Sequence, residues 1–109
     1  MSYEVIVSSA ALEQLWESAN WYYERSGSIE VALTWHDGFL KAFESLSENP
    51  HQFGLAAESS KFSYELRQLL YGSGKRKTHR ALFRIDGNRI EVLAIRHHAQ
   101  RDVTPDDLQ

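Results

Sequence analysis

The feature that most constrains this chain is Ser26-Gly27-Ser28, set between two stretches whose apolar residues recur at helical spacing. Before it, Leu12, Leu15, Trp16, Ala19 and Tyr22 recur at intervals of three and four, while Glu13, Glu17, Asn20 and Glu24 take the other side, the pattern of an amphipathic helix. After it, Ala32, Trp35, Phe39, Phe43 and Leu46 form a second stripe. Asn49-Pro50 ends that helix, because the residue before proline is pushed out of helical geometry. Gly27 accepts the left-handed conformation that closes a helix, and Ser28 can cap the next one at once. Two helices joined this tightly run antiparallel and must bury their stripes against a third element.

The rest of the sequence supplies that element. Residues 3–7 form a short β-branched run followed by a helix cap at Ser8-Ser9. Residues 50–61 read as an irregular crossing segment, and 64–71 as a second strand. Gly72 to Lys77 is a flexible basic turn, after which 78–86 and 89–96 form a β-hairpin. A Gly87-Asn88 loop opposes Asp86 to Arg89, Ile85 to Ile90, Arg84 to Glu91, Phe83 to Val92, Leu82 to Leu93 and Ala81 to Ala94. The competing Asp86-Gly87 loop sets Arg84 against Arg89 and is disfavoured by like charge. In the preferred register Ala81, Phe83, Ile85, Ile90, Val92 and Ala94 form an apolar face for the helices. Arg80, Leu82, Arg84, Glu91, Leu93, Ile95 and His97 form a mixed face, the candidate site, with Arg80 diagonal to His97. The expected fold is α+β: an N-terminal strand, an antiparallel helix hairpin and a three-stranded antiparallel meander, with the helices on one face of a twisted sheet.

Composition narrows the function classes. At 109 residues and 42% hydrophobic, the chain is expected to be one domain spanning 1–109. With no cysteine there is neither a disulfide framework nor a thiolate zinc site, and a reducing compartment is the simplest home. His36, His51, His79, His97 and His98 include no i, i+4 pair beside a carboxylate, and no phosphate-binding or dinucleotide motif occurs, so no metal or cofactor is expected. The start lacks a signal-like apolar stretch and no run approaches the roughly 20 apolar residues of a membrane span, so a cytoplasmic protein with no membrane partner is expected. The charge is segregated: residues 1–60 hold nine acids against two bases, and residues 61–109 hold ten bases against six acids. Such segregation can offer phosphates a positive face.

The strings His79-Arg80-Ala81-Leu82-Phe83-Arg84-Ile85 and Glu91 to Asp102, with Leu66-Arg67 before them and the elements in this order, are similar to the RelE/ParE superfamily of toxins from bacterial type II toxin–antitoxin systems of the plasmid-stabilisation type. The first string matches a strand that in the family reads tyrosine-Arg-x-x-tyrosine-Arg, and Arg96-His97 with Arg101 match its basic ending. The resemblance implies growth arrest and a cognate antitoxin protein as partner. It also implies one of two targets: ribosome-bound mRNA, cleaved by an endonuclease, or DNA gyrase, inhibited without hydrolysis. An inactive binding relative is the third possibility. For the nuclease, the resemblance makes Arg67, Arg80, His97 and Arg101 the catalytic set, with arginines stabilising phosphate charge and His97 or His98 giving a proton to the leaving 5′ oxygen.

Several of these residues also have plainer readings. Arg84 can serve nucleic acid or simply pair with Glu91, and Lys75, Arg76 and Lys77 can track a phosphate backbone or be a solvated turn. Arg80 has no evident acidic partner, so its loss is expected to change stability by no more than about 0.5 kcal/mol. Trp16, Trp35, Phe39 and Phe43 read as core, whereas Trp21 and Tyr23 fall off the stripe and suit either partner contact or edge packing.

Overall fold

The computed structural model describes residues 2–72 and 75–108. Strand β1 (Glu4–Val7) leads into helices α1 (Ser9–Ser26) and α2 (Ile29–Ser45), followed by strands β2 (Arg67–Tyr71), β3 (His79–Asp86) and β4 (Arg89–His97). Both helix starts and the end of α1 act as the sequence implies, whereas α2 stops at Ser45, four residues before the expected Asn49-Pro50 limit, and residues 46–48 form a turn. Ser8 Oγ accepts from Ala11 N–H at 3.1 Å, Gly27 closes α1 at φ 69°, and Ser28 Oγ accepts from Val31 N–H at 3.3 Å. The sheet order is β1-β4-β3-β2; β2, β3 and β4 form the antiparallel meander and β1 pairs parallel to β4.

The helix hairpin covers one face of the sheet. Leu15, Trp35, Phe39, Phe43 and Leu46 join Ala81, Phe83, Ile90, Val92 and Ile95 in the main core. The expected α1 stripe is too broad, since Leu12 is 39% and Trp16 55% exposed while Ala11, Leu15 and Ala19 are buried. Small alanines on either side of Leu15 let α1 approach closely, and the large neighbours are turned outward. Trp16 instead lies over the His36 ring, centroids 4.0 Å apart.

The hairpin register matches the expected pairs from Asp86/Arg89 through Phe83/Val92 and then shifts. Leu93 is the extra residue of a bulge, so Leu82 faces Ala94, Ala81 faces Ile95, Arg80 faces Arg96 and His79 faces His97, correcting Leu82/Leu93 and Ala81/Ala94. The bulge sits where β1 ends, opposite Val7, and Ser8 Oγ donates to Leu93 O at 3.2 Å. It turns Ile95 into the main core and Ala94 onto the opposite face, exchanging the expected positions of a large and a small side chain.

That opposite face is covered too. β2 begins at Arg67, not Tyr64, and the segment before it forms two short 3₁₀ turns, Pro50–Gln52 and Ala57–Lys61. Together with the tail around Val103, this segment builds a second, smaller core of Ala56, Leu66, Leu82, Ala94 and Val103. The face expected to be mixed and open is therefore largely enclosed.

Gly38 shows how closely α2 meets the sheet. A Cβ there would fall 2.1 Å from the Tyr71 hydroxyl, and the Tyr71 ring is stacked on Phe39 at 4.4 Å. Helix propensity alone would make Gly38→Ala stabilising by about 1 kcal/mol. The clash should reverse that sign, at a cost of about 1 to 3 kcal/mol in thermal or urea unfolding. Adding Tyr71→Phe should recover part of the loss by removing the hydroxyl.

Candidate functional site

Four arginines of the basic second half, Arg67, Arg80, Arg84 and Arg101, are held by specific partners. Arg80, on β3, points into the second core, where its guanidinium meets Glu58 in a two-pronged ion pair, one prong at 2.8 Å. Glu58 is 1% exposed. Its Oε2 also accepts the Val103 backbone N–H at 3.0 Å, and Arg80 makes a further bond to Gln68 Oε1 at 3.2 Å. The Arg80 hydrogen bonds outweigh the burial that opposes ionisation, and the Val103 N–H adds to them, so the Glu58 carboxyl is lowered to about 2. The expectation that Arg80 lacks an acidic partner is thus corrected: its partner lies 22 residues away in a stretch with no periodic signal.

The other cations repeat the pattern more loosely. Arg67 donates to Phe53 O at 2.7 Å and approaches Glu65 at 3.4 Å. Arg84 pairs with Glu91 at 2.5 Å and lies 4.9 Å over the Tyr64 ring. Arg101 is bidentate to Asp107 at 2.8 Å for each bond, and with the Thr104 N–H it holds the Asp107 carboxyl well below the usual carboxylate range. Lys75, Arg76 and Lys77 are exposed.

Register decides which of these can act together. Arg67 stands opposite Phe83 and so shares the helix-covered face, whereas Arg80, opposite Arg96, belongs to the other face. The bulge puts His97 opposite His79, on the helix side, so the expected diagonal between Arg80 and His97 does not form. Arg67, Arg80 and His97 are thereby divided between two faces.

On the helix side, His97 has neighbours of its own kind, with the His79 ring at 5.0 Å and the His98 ring at 4.5 Å. Burial first, and then the neighbouring His97 and His98, push His79 down to about 4. Burial, His98 and Arg76 lower His97. Both shifts disfavour the protonated ring, the form from which the resemblance would have His97 give its proton. These rings border a groove of about 540 Å³ between α1 and the end of β4, whose walls include Gln14, Ser18, Trp21 and Ile95. Gln14 and Gln100, which reach the backbone beside it, carried no signal in the sequence. Among the described residues no group of three or more His, Asp or Glu side chains is placed to hold a metal ion. Nor, among them, is any helix long and apolar enough to cross a membrane.

Residues 5–102 match the family described as the ParE toxin of type II toxin–antitoxin systems, parDE. Among solved structures, the chromosomal ParDE toxin–antitoxin system from P. aeruginosa has a similar fold. The TM-score is 0.68 at 22% identity, over 87% of this chain and 95% of that one. No curated protein matches the chain.

The Glu58 pair sets an acid limit on stability. The unfolded chain takes up a proton near the ordinary value of 4.5, whereas the folded chain resists until about 2. Between those values the unfolded state binds more protons, so stability present above pH 4.5 should fall as the pH drops toward 2, by on the order of 3 kcal/mol. Denaturant titrations across that window should show the loss, and Glu58→Gln should start less stable and lack this component of the slope. Arg80→Ala, which strands a buried carboxylate, should cost about 3 to 5 kcal/mol at pH 7.

Proposed function

The chain belongs to the ParE toxin family of type II toxin–antitoxin systems, and from that premise we propose that it arrests growth by binding DNA gyrase without hydrolysis, in preference to cleaving ribosome-bound mRNA. The observation that carries this choice is the occupation of Arg80 by Glu58. An arginine that stabilises a phosphate in a transition state must offer its N–H groups to that phosphate. Here they are committed to an enclosed carboxylate that also anchors the tail, so releasing them would break the second core. Arg101 is bidentate to Asp107. The separation of His97 from Arg80 supports the same reading, as does the acidic balance of the whole chain, net −3.

A gyrase inhibitor needs a recognition surface and no proton relay. In this reading Arg67, Arg80, Arg84 and Arg101 are structural cations. The exposed Lys75, Arg76 and Lys77 meet the phosphates of gyrase-bound DNA. The target places the protein in the cytoplasm, where its antitoxin restrains it until needed.

Induced expression without the antitoxin should arrest growth, with gyrase–DNA breaks trapped and messages intact by primer extension. Cuts within translated codons would support the nuclease instead, and normal growth with abundant folded protein would support an inactive relative. Neutralising Lys75, Arg76 and Lys77 together should weaken the arrest while leaving the unfolding midpoint within the range of ordinary surface substitutions, about 0.5 kcal/mol.

A further inference from the structure

A second hollow, of about 570 Å³, lies on the β2 side of the molecule, between the start of α2 and the end of β2, and is large enough for a small ligand. Tyr22 and Tyr71 give it aromatic walls. Both are half-buried and each is braced by a second ring, Tyr22 by Trp35 at 4.5 Å and Tyr71 by Phe39, on which it stacks at 4.4 Å. Glu30, Val31 and Thr34, all exposed on the first two turns of α2, complete one side, and Gly72 completes another. At Gly72 the backbone is folded close upon itself. Thr78 N–H donates to Tyr71 O at 3.0 Å, and a Cβ on Gly72 would fall 2.0 Å from the Arg76 carbonyl oxygen. The hollow is therefore bordered by the stretch that carries Lys75, Arg76 and Lys77, all three exposed.

We propose that this hollow receives an unpaired nucleobase of DNA, stacked against Tyr22 and Tyr71, while Lys75, Arg76 and Lys77 hold the phosphates beside it. The proposal rests on the gyrase reading and specifies which part of the bound DNA the toxin touches. A base is a planar ring with an apolar face, the shape that braced tyrosine rings accept without reorganising, and stacking of this kind tolerates any sequence. Its phosphates need cations close by, and the turn after Gly72 supplies three. Glu30 adds selection, because an ionised carboxylate only accepts hydrogen bonds. Guanine donates two adjacent N–H groups on its pairing edge, whereas thymine offers one N–H between two carbonyls that the carboxylate repels. An intact duplex keeps these edges paired and these faces stacked, so the ligand is a base already outside the helix, as at an opened or broken site.

The experiment is fluorescence anisotropy of labelled oligonucleotides with the purified full chain and no gyrase. A single strand should bind at least tenfold more tightly than the duplex of the same sequence, and a thymine strand with one guanine at least fivefold more tightly than thymine alone. Thr34→Trp, which fills the hollow from an exposed position, should weaken single-strand binding at least tenfold, and Glu30→Gln should erase the preference for guanine. Leu33→Ala, on the same helix outside the hollow, should change neither. Equal binding of strand and duplex, no binding of either, or strand binding untouched by Thr34→Trp would overturn the base site. Displacement of the strand by an equal concentration of deoxyguanosine monophosphate would assign the hollow to a free nucleotide and overturn the assignment to DNA. The gyrase reading is scored apart, by the breaks trapped in arrested cells: strand binding by a chain that traps none would overturn that reading and leave the base site standing, and trapped breaks without strand binding would do the reverse.

Discussion

The Glu58–Arg80 ion pair is the interaction on which the far side of the sheet depends. Isolated charges are expensive to enclose, and one carboxylate with no exposed side-chain surface is tolerated here only because its oxygens are met by a guanidinium and a backbone N–H. The geometry ties together three separate parts of the chain. Glu58 comes from a 3₁₀ turn in the crossing segment, Arg80 from the middle of the sheet and Val103 from the tail. With these joined, Ala56, Leu66 and Val103 can close over Leu82 and Ala94, and the sheet becomes a layer buried on both faces.

That arrangement changes what a basic strand means. The string His79 to Arg84 looks like a row of cations offered to phosphate, yet Arg80 is turned inward and Arg84 is held between Glu91 and the Tyr64 ring. The acidic first half of the sequence is therefore not simply a repelling surface. One of its carboxylates, Glu58, is the internal counter-ion of Arg80. Accessible positive charge lies instead on Lys75, Arg76 and Lys77.

Much of this fold is legible in the sequence because its signals are local. Ser8, Gly27 and Ser28 set the helix limits, and charge pairing selects the Gly87-Asn88 loop and the pairs up to Phe83/Val92. What is not legible depends on contacts distant in sequence. The bulge at Leu93 lies within Val92-Leu93-Ala94-Ile95, where every side chain is apolar and a shift of one residue leaves no trace in the alternation. Trp16 fits helical spacing as well as Leu15 does, and only the closeness of α1 to the sheet excludes it from the core. The partner of Arg80 is the least legible contact, and it inverts the expected exposure of the candidate site. Nothing in Ala57-Glu58-Ser59 marks Glu58 as the acid that meets Arg80.

The central claim is that Arg80 acts through the fold and not on a phosphate. It is tested most directly by replacing both members of the pair together with apolar residues of similar size, Glu58→Leu with Arg80→Met. Buried ion pairs can often be exchanged for well-packed apolar side chains without loss of stability, whereas removing one partner is damaging. The account predicts that the double variant folds with a stability near that of the parent and still arrests growth at the same level of induction. A double variant that folds as well as the parent and no longer arrests growth would contradict it, because the guanidinium itself would then be what the target requires.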